Sequence, residues 1–221
     1  VVSTFAGSGV RGGADGTGTA AEFNDPHSIA INPTTGVLYV TEASLDNNTP
    51  RVRAITPAGV VTTLAGSGVP GMVDGTGTAA QFFFPTGIAV NPTNGIIYVA
   101  DSYAHNIRAI TPAGVTTTLA GYDDILDVVA SPNGGYADGS GTAAVFSYPQ
   151  GIEVAPDGTI YVGEFGGHKI RKITPAGVTT TLAGSGVAGF VDGTGVGAQF
   201  DRPTGVTVDS DGLLYIADTF N

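Results

Sequence analysis

Three histidines, one unusual glutamate and a group of aspartates are the residues of this chain whose types could do chemistry. His27 follows Pro26, whereas the residues after Pro85, Pro149 and Pro203 are Thr86, Gln150 and Thr204. An imidazole at that point could serve as a general base, because its proton comes and goes near neutral pH. As a zinc ligand it would need companions, since zinc takes three or four protein ligands. His105 and His168 do not supply them. They share a different recurring position ahead of a strand and are expected to hydrogen-bond within hairpin turns. Glu153 is the second exception, because its counterparts are Ala30, Ala89 and Thr207. Such an acid either reaches channel water or contacts a ligand, and burial would make it a base by raising its pKa. A lone acid is not the carboxylate pair that a glycosidase uses. If the chain is an enzyme, a lyase or hydrolase, His27, Glu153 and Gln150 are its catalytic candidates.

Asp123, Asp124 and Asp127 form an Asp-Asp-x-x-Asp run. A calcium loop needs oxygens at alternating positions and a glycine turn, so a solvated loop is the plainer reading and calcium the weaker one. No Gly-x-Ser-x-Gly elbow, P-loop or His-Glu-x-x-His occurs, and Gly75-Thr76-Gly77 precedes no long helix. No cofactor is expected. Phe83 and Phe84 stand where the other copies have Asn24-Asp25, Ser147-Tyr148 and Asp201-Arg202. Paired aromatics near a loop mark either an interface or packing beneath a neighbouring segment. The candidate binding set is therefore His27, Thr86, Gln150, Thr204, Glu153, Phe83 and Phe84.

These residues must be positioned by a unit that recurs four times, anchored at Pro26, Pro85, Pro149 and Pro203. In the second unit Gly87–Val90 reads as a short strand, followed by a turn at Asn91-Pro92-Thr93-Asn94-Gly95. Ile96–Asp101 is rich in β-branched and aromatic residues and reads as a second strand. Ile107–Thr111 and Val115–Leu119, separated by Pro112-Ala113-Gly114, are the third and fourth. Pairing Asp101 with Arg108 sets Val99 opposite Ile110; the same register sets Glu164 against Arg171 and Glu42 against Arg53. An acid–arginine pair per hairpin would stabilise it and hold its register. Gly-rich links join the units, and Thr-Ala-Ala-x-Phe reads as one helical turn with Thr78 as N-cap and Phe82 tucked inward. The insert Leu45-Asp46-Asn47-Asn48-Thr49 reads as a longer turn. One such sheet cannot bury both of its faces, so neighbouring sheets must stack.

The phrases Pro-x-Gly-Ile, Ile-Tyr-Val-Ala-Asp and His-x-Ile-Arg-x-Ile, as in Pro85–Ile110 and again up to Ile173, resemble the NHL repeats of β-propellers. The resemblance covers essentially the whole chain. It implies an all-β ring of blades around a channel, usually six and usually used for binding. Residues 1–221 are thus expected to form a single repeat array of four four-stranded blade units.

Val1–Gly7 matches the fourth-strand phrase Val60–Gly66, while the arginine due seven positions after Asp218 lies past Asn221. Three arrangements follow: the N-terminal strand completes the last blade, the chain is part of a larger ring, or a neighbour supplies the strand by β-augmentation. With 19 acidic against 8 basic residues the net charge is −11, which repels nucleic acid. There is no cysteine and hence no disulfide or thiol chemistry, and no apolar run long enough to span a membrane. Low charge with abundant Thr and Gly suggests an exported bacterial protein. The expectation is a non-catalytic extracellular or cell-surface module for protein binding or assembly, including self-assembly by strand completion. Its partner would be a protein or further copies of itself, or a small ligand or glycan at the channel mouth.

Overall fold

A computed structural model describes residues 1–43, 49–122 and 134–221. Residues 45–48 of the turn expected at 45–49 and the aspartates at 123, 124 and 127 lie outside the described residues. The first blade comprises β1 (Gly16–Thr17), β2 (Pro26–Ile31), β3 (Leu38–Glu42), β4 (Arg51–Ile55) and β5 (Val60–Ala65), in sheet order β1-β5-β4-β3-β2. The second holds β6 (Gly75–Thr76), β7 (Pro85–Val90), β8 (Ile97–Asp101), β9 (Asn106–Ile110) and β10 (Val115–Gly121) in the same order. The third repeats it with β11 (Gly139–Ser140), β12 (Pro149–Val154), β13 (Ile160–Glu164), β14 (Lys169–Ile173) and β15 (Val178–Ala183). The fourth is the hairpin β16 (Pro203–Val208) and β17 (Leu214–Asp218). Each of the first three sheets therefore has a fifth, two-residue strand that the sequence did not reveal. It comes from the link ahead of the blade and clasps the outer edge, as Gly16 does opposite Val61.

The core lies between sheets. Tyr39, Val52 and Ala65 of the first blade pack with Phe82 against Ile88, Ile97, Val99 and Ile110 of the second. Ile107 and Tyr98 pack likewise against Phe146, Ile152, Ile160 and Val162. Burying each large side chain stabilises the stack by about 1.5–3 kcal/mol. The links add hydrogen bonds at the seams: the Gly66 N–H of the first blade donates to Gly77 O of the link, whose own N–H donates to Gly114 O of the second blade. No helix among the described residues is long and apolar enough to cross a membrane.

The expected register is off by two residues. Asp101 faces Asn106 and Val99 faces Arg108; Glu164 faces Lys169, and Glu42 faces Arg51. A short 3₁₀ turn, Ser102–Ala104, followed by left-handed His105, makes the second hairpin tighter than the sequence suggested. A slip of two keeps every side chain on its face, so the burial pattern survives. The acid–arginine contacts survive too, as diagonals: Arg53 Nη1 lies 3.1 Å from Glu42 and Arg171 Nη1 lies 3.1 Å from Glu164. The shorter Asp101 leaves 3.9 Å to Arg108.

Two further expectations change. The link's 3₁₀ turn runs Gly77–Ala79 after Thr76, so Thr78 lies within it and caps nothing, although Phe82 is fully buried as expected. Val1–Phe5 forms no strand and is exposed, so it does not complete the last blade. An outer strand pairs with a third strand, and among the described residues the fourth sheet holds β16 and β17. The inner strands stand in the order β2, β7, β12, β16, and the outward side of the first is bare. Ile29 is 59% exposed, whereas its counterparts Ile88, Ile152 and Val206 are 5%, 7% and 9% exposed.

Close approach of the inner strands requires glycine. A Cβ on Gly87 would fall 2.0 Å from Gln150 O, and one on Gly151 would fall 2.0 Å from Thr204 O. Gly151→Ala is expected to destabilise the chain by about 1–3 kcal/mol, as overpacking does. Gly197→Ala, where other links already carry alanine and the space is open, is the matched control. Thermal unfolding of the two variants checks this, and equal midpoints would refute it.

Candidate functional site

The ends of the inner strands converge on a cavity of about 280 Å³. His27, Thr86, Gln150 and Thr204 all line it, one from each blade, beside Gly87, Gly151 and Gly205. Thr86 is largely committed to structure: its hydroxyl is placed to donate to Ala100 O at 3.3 Å and Pro149 O at 3.5 Å. The Thr204 hydroxyl bonds to that of Thr219. His27 is exposed and Gln150 half-buried, so these two offer the most freedom to a ligand.

Glu153 does not join them. Its Oε1 accepts the Val154 N–H at 3.0 Å, and its Oε2 lies 3.5 Å from the Thr207 hydroxyl on the next inner strand. The expected trio of His27, Glu153 and Gln150 is thus reduced to two members at the mouth. The reason is register: Glu153 pairs opposite Tyr161, on the face turned toward the fourth blade. Among the described residues no cluster of three or more His, Asp or Glu side chains is arranged to hold a metal. The mouth offers an imidazole, an amide and hydroxyls, all of which can hydrogen-bond, and the imidazole can in addition take up a proton.

Phe83 and Phe84 part company. The N–H groups of both donate to the Asp101 carboxylate, while the Phe84 ring is buried and stacks on Tyr103 at 4.6 Å. Phe84 also meets His27 edge-on at 5.4 Å. Tyr103 meets Tyr148 at 5.6 Å, and Tyr148 meets His105 at 4.5 Å, both edge to face. An aromatic rim therefore runs from the mouth across three blades. It has a counterpart farther round, where the Arg202 guanidinium lies 5.4 Å from the Phe165 ring and 4.7 Å from that of Phe220. Tyr103, Tyr148, Phe165, Phe220 and Arg202 were missed from sequence. The available signal was positional: they sit immediately before the anchor proline or just after the second strand of their unit.

Beneath the rim, an acid at the end of each blade's second strand, buried in the first three blades and half-buried in the fourth, holds the chain that leads into the mouth. Glu42 accepts the Asn24 N–H, Glu164 the Ser147 N–H and Asp218 the Asp201 N–H. Burial pushes Asp101 up to about 6 and Glu164 up to about 7, against the opposing pull of Arg108 and Arg171. Burial likewise raises Glu42. The two recurring histidines close their own turns through the main chain, the His105 N–H donating to Ser102 O and the His168 N–H to Glu164 O, and their rings also join blades. His105 Nδ1 accepts the Tyr148 N–H at 3.0 Å, and His168 Nδ1 accepts the Arg202 N–H at 3.2 Å. Both donors belong to left-handed residues (φ 48° and 56°), a costly conformation that neighbouring contacts must hold.

Residues 20–188 match the SMP-30/Gluconolactonase/LRE-like region model, and residues 200–221 match the NHL repeat. The whole chain aligns at 32% identity with the chloroplastic protein SUPPRESSOR OF QUENCHING 1 of Arabidopsis thaliana, of which it spans 21%. It aligns over 46% of its length at 34% identity with human NHL repeat-containing protein 2, spanning 13% of that protein. The chain thus spans about a fifth or less of these relatives. Among solved structures, an auxiliary nutrient binding protein from Bacteroides ovatus superposes with a TM-score of 0.67 at 23% identity, over 90% of this chain and 47% of the other. A chain of a nidogen/laminin complex gives 0.58 at 19% identity, covering 87% and 56%. A gluconolactonase from Xanthomonas campestris gives 0.56 at 17% identity, covering 88% and 54%. These distant likenesses share the fold alone, and they include both binding proteins and enzymes. With four repeated sheets stacked about a common mouth and a family match over most of its length, the chain belongs to the SMP-30/gluconolactonase/LRE-like family of NHL-type β-propellers.

Proposed function

We propose that this propeller is a non-catalytic module that binds a protein partner over its channel mouth. The observation that carries the reading is the aromatic rim from His27 through Phe84, Tyr103 and Tyr148, set beside a mouth of hydrogen-bonding groups. Aromatic rings bury large area at little entropic cost and dominate binding energy at protein interfaces. Tyr103 and Phe220 are exposed at 37% and 55%, so they are available for such contact. The composition suits an extracellular or cell-surface setting, and the net charge of −11 favours a basic partner surface.

The competing reading is a lyase or hydrolase centred on His27, and the family name gives it weight. Against it stands Glu153, whose carboxylate is turned toward Val154 and Thr207. Selecting a displayed peptide library on the immobilised chain tests both readings. Peptides enriched on the wild type should lose at least tenfold in affinity on Tyr103→Ala, because exposed interface aromatics of this kind carry roughly 2 kcal/mol or more. Enrichment indifferent to Tyr103 and Phe220, or lactone hydrolysis that His27→Ala abolishes, would reject the module.

A further inference from the structure

The third strands of the first three blades open on different residues: Arg51, Asn106 and Lys169. A guanidinium keeps its proton in a protein, and the Asn106 amide donates to Tyr122 O. Only the third blade sets an amine at this point, and an amine that gives up its proton is a nucleophile. Lys169 is 4% exposed. Among the described residues its ammonium takes part in no hydrogen bond and no ion pair. Its charge meets the face of the Tyr136 ring instead, with Nζ 4.0 Å from the ring centroid. The other links hold Gly13, Met72 and Phe190 at the place of Tyr136, two residues ahead of the recurring aspartate.

Glu164 stands directly opposite Lys169 in the register of β13 and β14. Both side chains reach the turn that joins those strands. A Cβ on Gly167 would fall 2.8 Å from Glu164 Oε2, and one on Gly186 would fall 2.4 Å from Lys169 Nζ and 3.7 Å from Gly167 O. Glycine at these two points leaves room for the acid and the amine. Glu164 Oε1 accepts from the Ser147 N–H and from Arg171, whereas Oε2 is buried without a hydrogen-bond partner. Burial lowers the pKa of the Lys169 amine, with help from the Arg171 charge and against those of Glu164 and Asp138. Burial raises Glu164 to about 7, so near neutral pH its carboxyl holds a proton about half of the time.

We infer that Lys169 is an imine-forming amine for small uncharged aldehydes, with Glu164 as the proton donor beside it. The Nζ lone pair attacks the carbonyl carbon while the carbonyl oxygen takes the Glu164 proton. The nitrogen then returns a proton to the carboxylate, which leaves a carbinolamine. A second transfer from Glu164 to the new hydroxyl expels water as the C=N bond forms, and the proton of the iminium nitrogen goes back to the acid. The sum is amine plus aldehyde giving imine plus water, with no further reactant. Glu164 and Asp138 disfavour an anionic carbonyl compound, and the close cover disfavours a bulky one. Access runs past Tyr136, whose ring is 61% exposed and free to change rotamer on the fast timescale of exposed side chains. No rim residue takes part, so this site stands independently of the rim reading.

The chain has two lysines, and the half-buried Lys172, opposite Tyr161, is the internal reference for Lys169. Propanal with cyanoborohydride at neutral pH traps each imine as a propyl-lysine, and peptide mass spectrometry of the full chain reads the rate at each site. Lys169 should be trapped roughly tenfold or more faster than Lys172, since a positioned proton donor contributes on the order of 10²–10⁴. Glu164→Gln should slow Lys169 by roughly tenfold or more and leave Lys172 unchanged. The wild-type comparison holds whatever the stability of that variant. Trapping of Lys172 as fast as Lys169 or faster, which a merely buried ammonium would give, or a Lys169 rate indifferent to Glu164→Gln, would overturn the inference.

Discussion

Replacing Arg108 with alanine is expected to destabilise the chain by about 3–5 kcal/mol, the cost of leaving one member of a buried ion pair alone. Arg108 is fully buried, and so is Asp101 beside it. The substitution also takes the side-chain donor from Gln81 O and one of two donors from Val73 O, and it removes the cation from the face of the Phe82 ring. Because Asp101 holds the N–H groups of Phe83 and Phe84, the damage should spread to the channel mouth. Adding Asp101→Asn to the Arg108→Ala chain should recover part of the loss, since it removes the uncompensated charge while retaining an acceptor. Urea unfolding of the two single variants and the double variant gives the coupling directly. A loss below about 1 kcal/mol, the range of exposed pairs, would mean that water reaches the pair.

Stability should fall as pH rises from about 4.5 to 7. Burial raises Glu164 from its ordinary value of 4.5 to about 7, and Asp101 from 3.8 to about 6. Between those limits the folded chain keeps protons that the unfolded chain has released. Each group's contribution is therefore complete below its unfolded pKa and lost as pH rises through its folded pKa. The slope approaches about 1.4 kcal/mol per pH unit for each group in its window. Asp157 and Asp209 act in the opposite sense and only in acid, because turn N–H groups of Thr159 and Leu213 hold them below the usual carboxylate range. Urea midpoints from pH 4 to 8 should decline in the wild type and flatten in Glu164→Gln. Parallel curves would show that Glu164 is already ionised at low pH. The arginine partner makes this a stringent comparison, since Arg171 lies 3.1 Å from Glu164 and opposes the shift.

Much of the fold was legible because the repeat sets it. Pro26, Pro85, Pro149 and Pro203 each open an inner strand, and the Ile-Tyr-Val phrases each form a second one, as their residue types require. The faces were legible too, because alternation survives a register slip of two. The register itself was not: it depends on a 3₁₀ turn and a left-handed His105, neither of which leaves a sure mark in the residue types. The two-residue edge strands were equally invisible, since Gly16–Thr17 has no strand signal without the Val60–Val61 edge it meets.

For the site, the sequence located His27, Thr86, Gln150 and Thr204 by their shared offset from proline, and the structure places all four at one cavity. It could not show that Glu153 turns away, since that choice depends on Thr207 of the next blade. Nor could it show that Tyr103 and Tyr148, 45 residues apart in sequence, share an edge-to-face contact.

The amino-acid order by itself determined one strand plan begun four times, its apolar faces and the ring of positions at the inner ends, because these follow from local periodicity and a repeated spacing. Tertiary structure alone decided which polar groups meet across the seams and links, where His105 reaches Tyr148 and Arg171 clamps Glu164. Such contacts join residues far apart in the chain, and their geometry exists only once the blades have stacked.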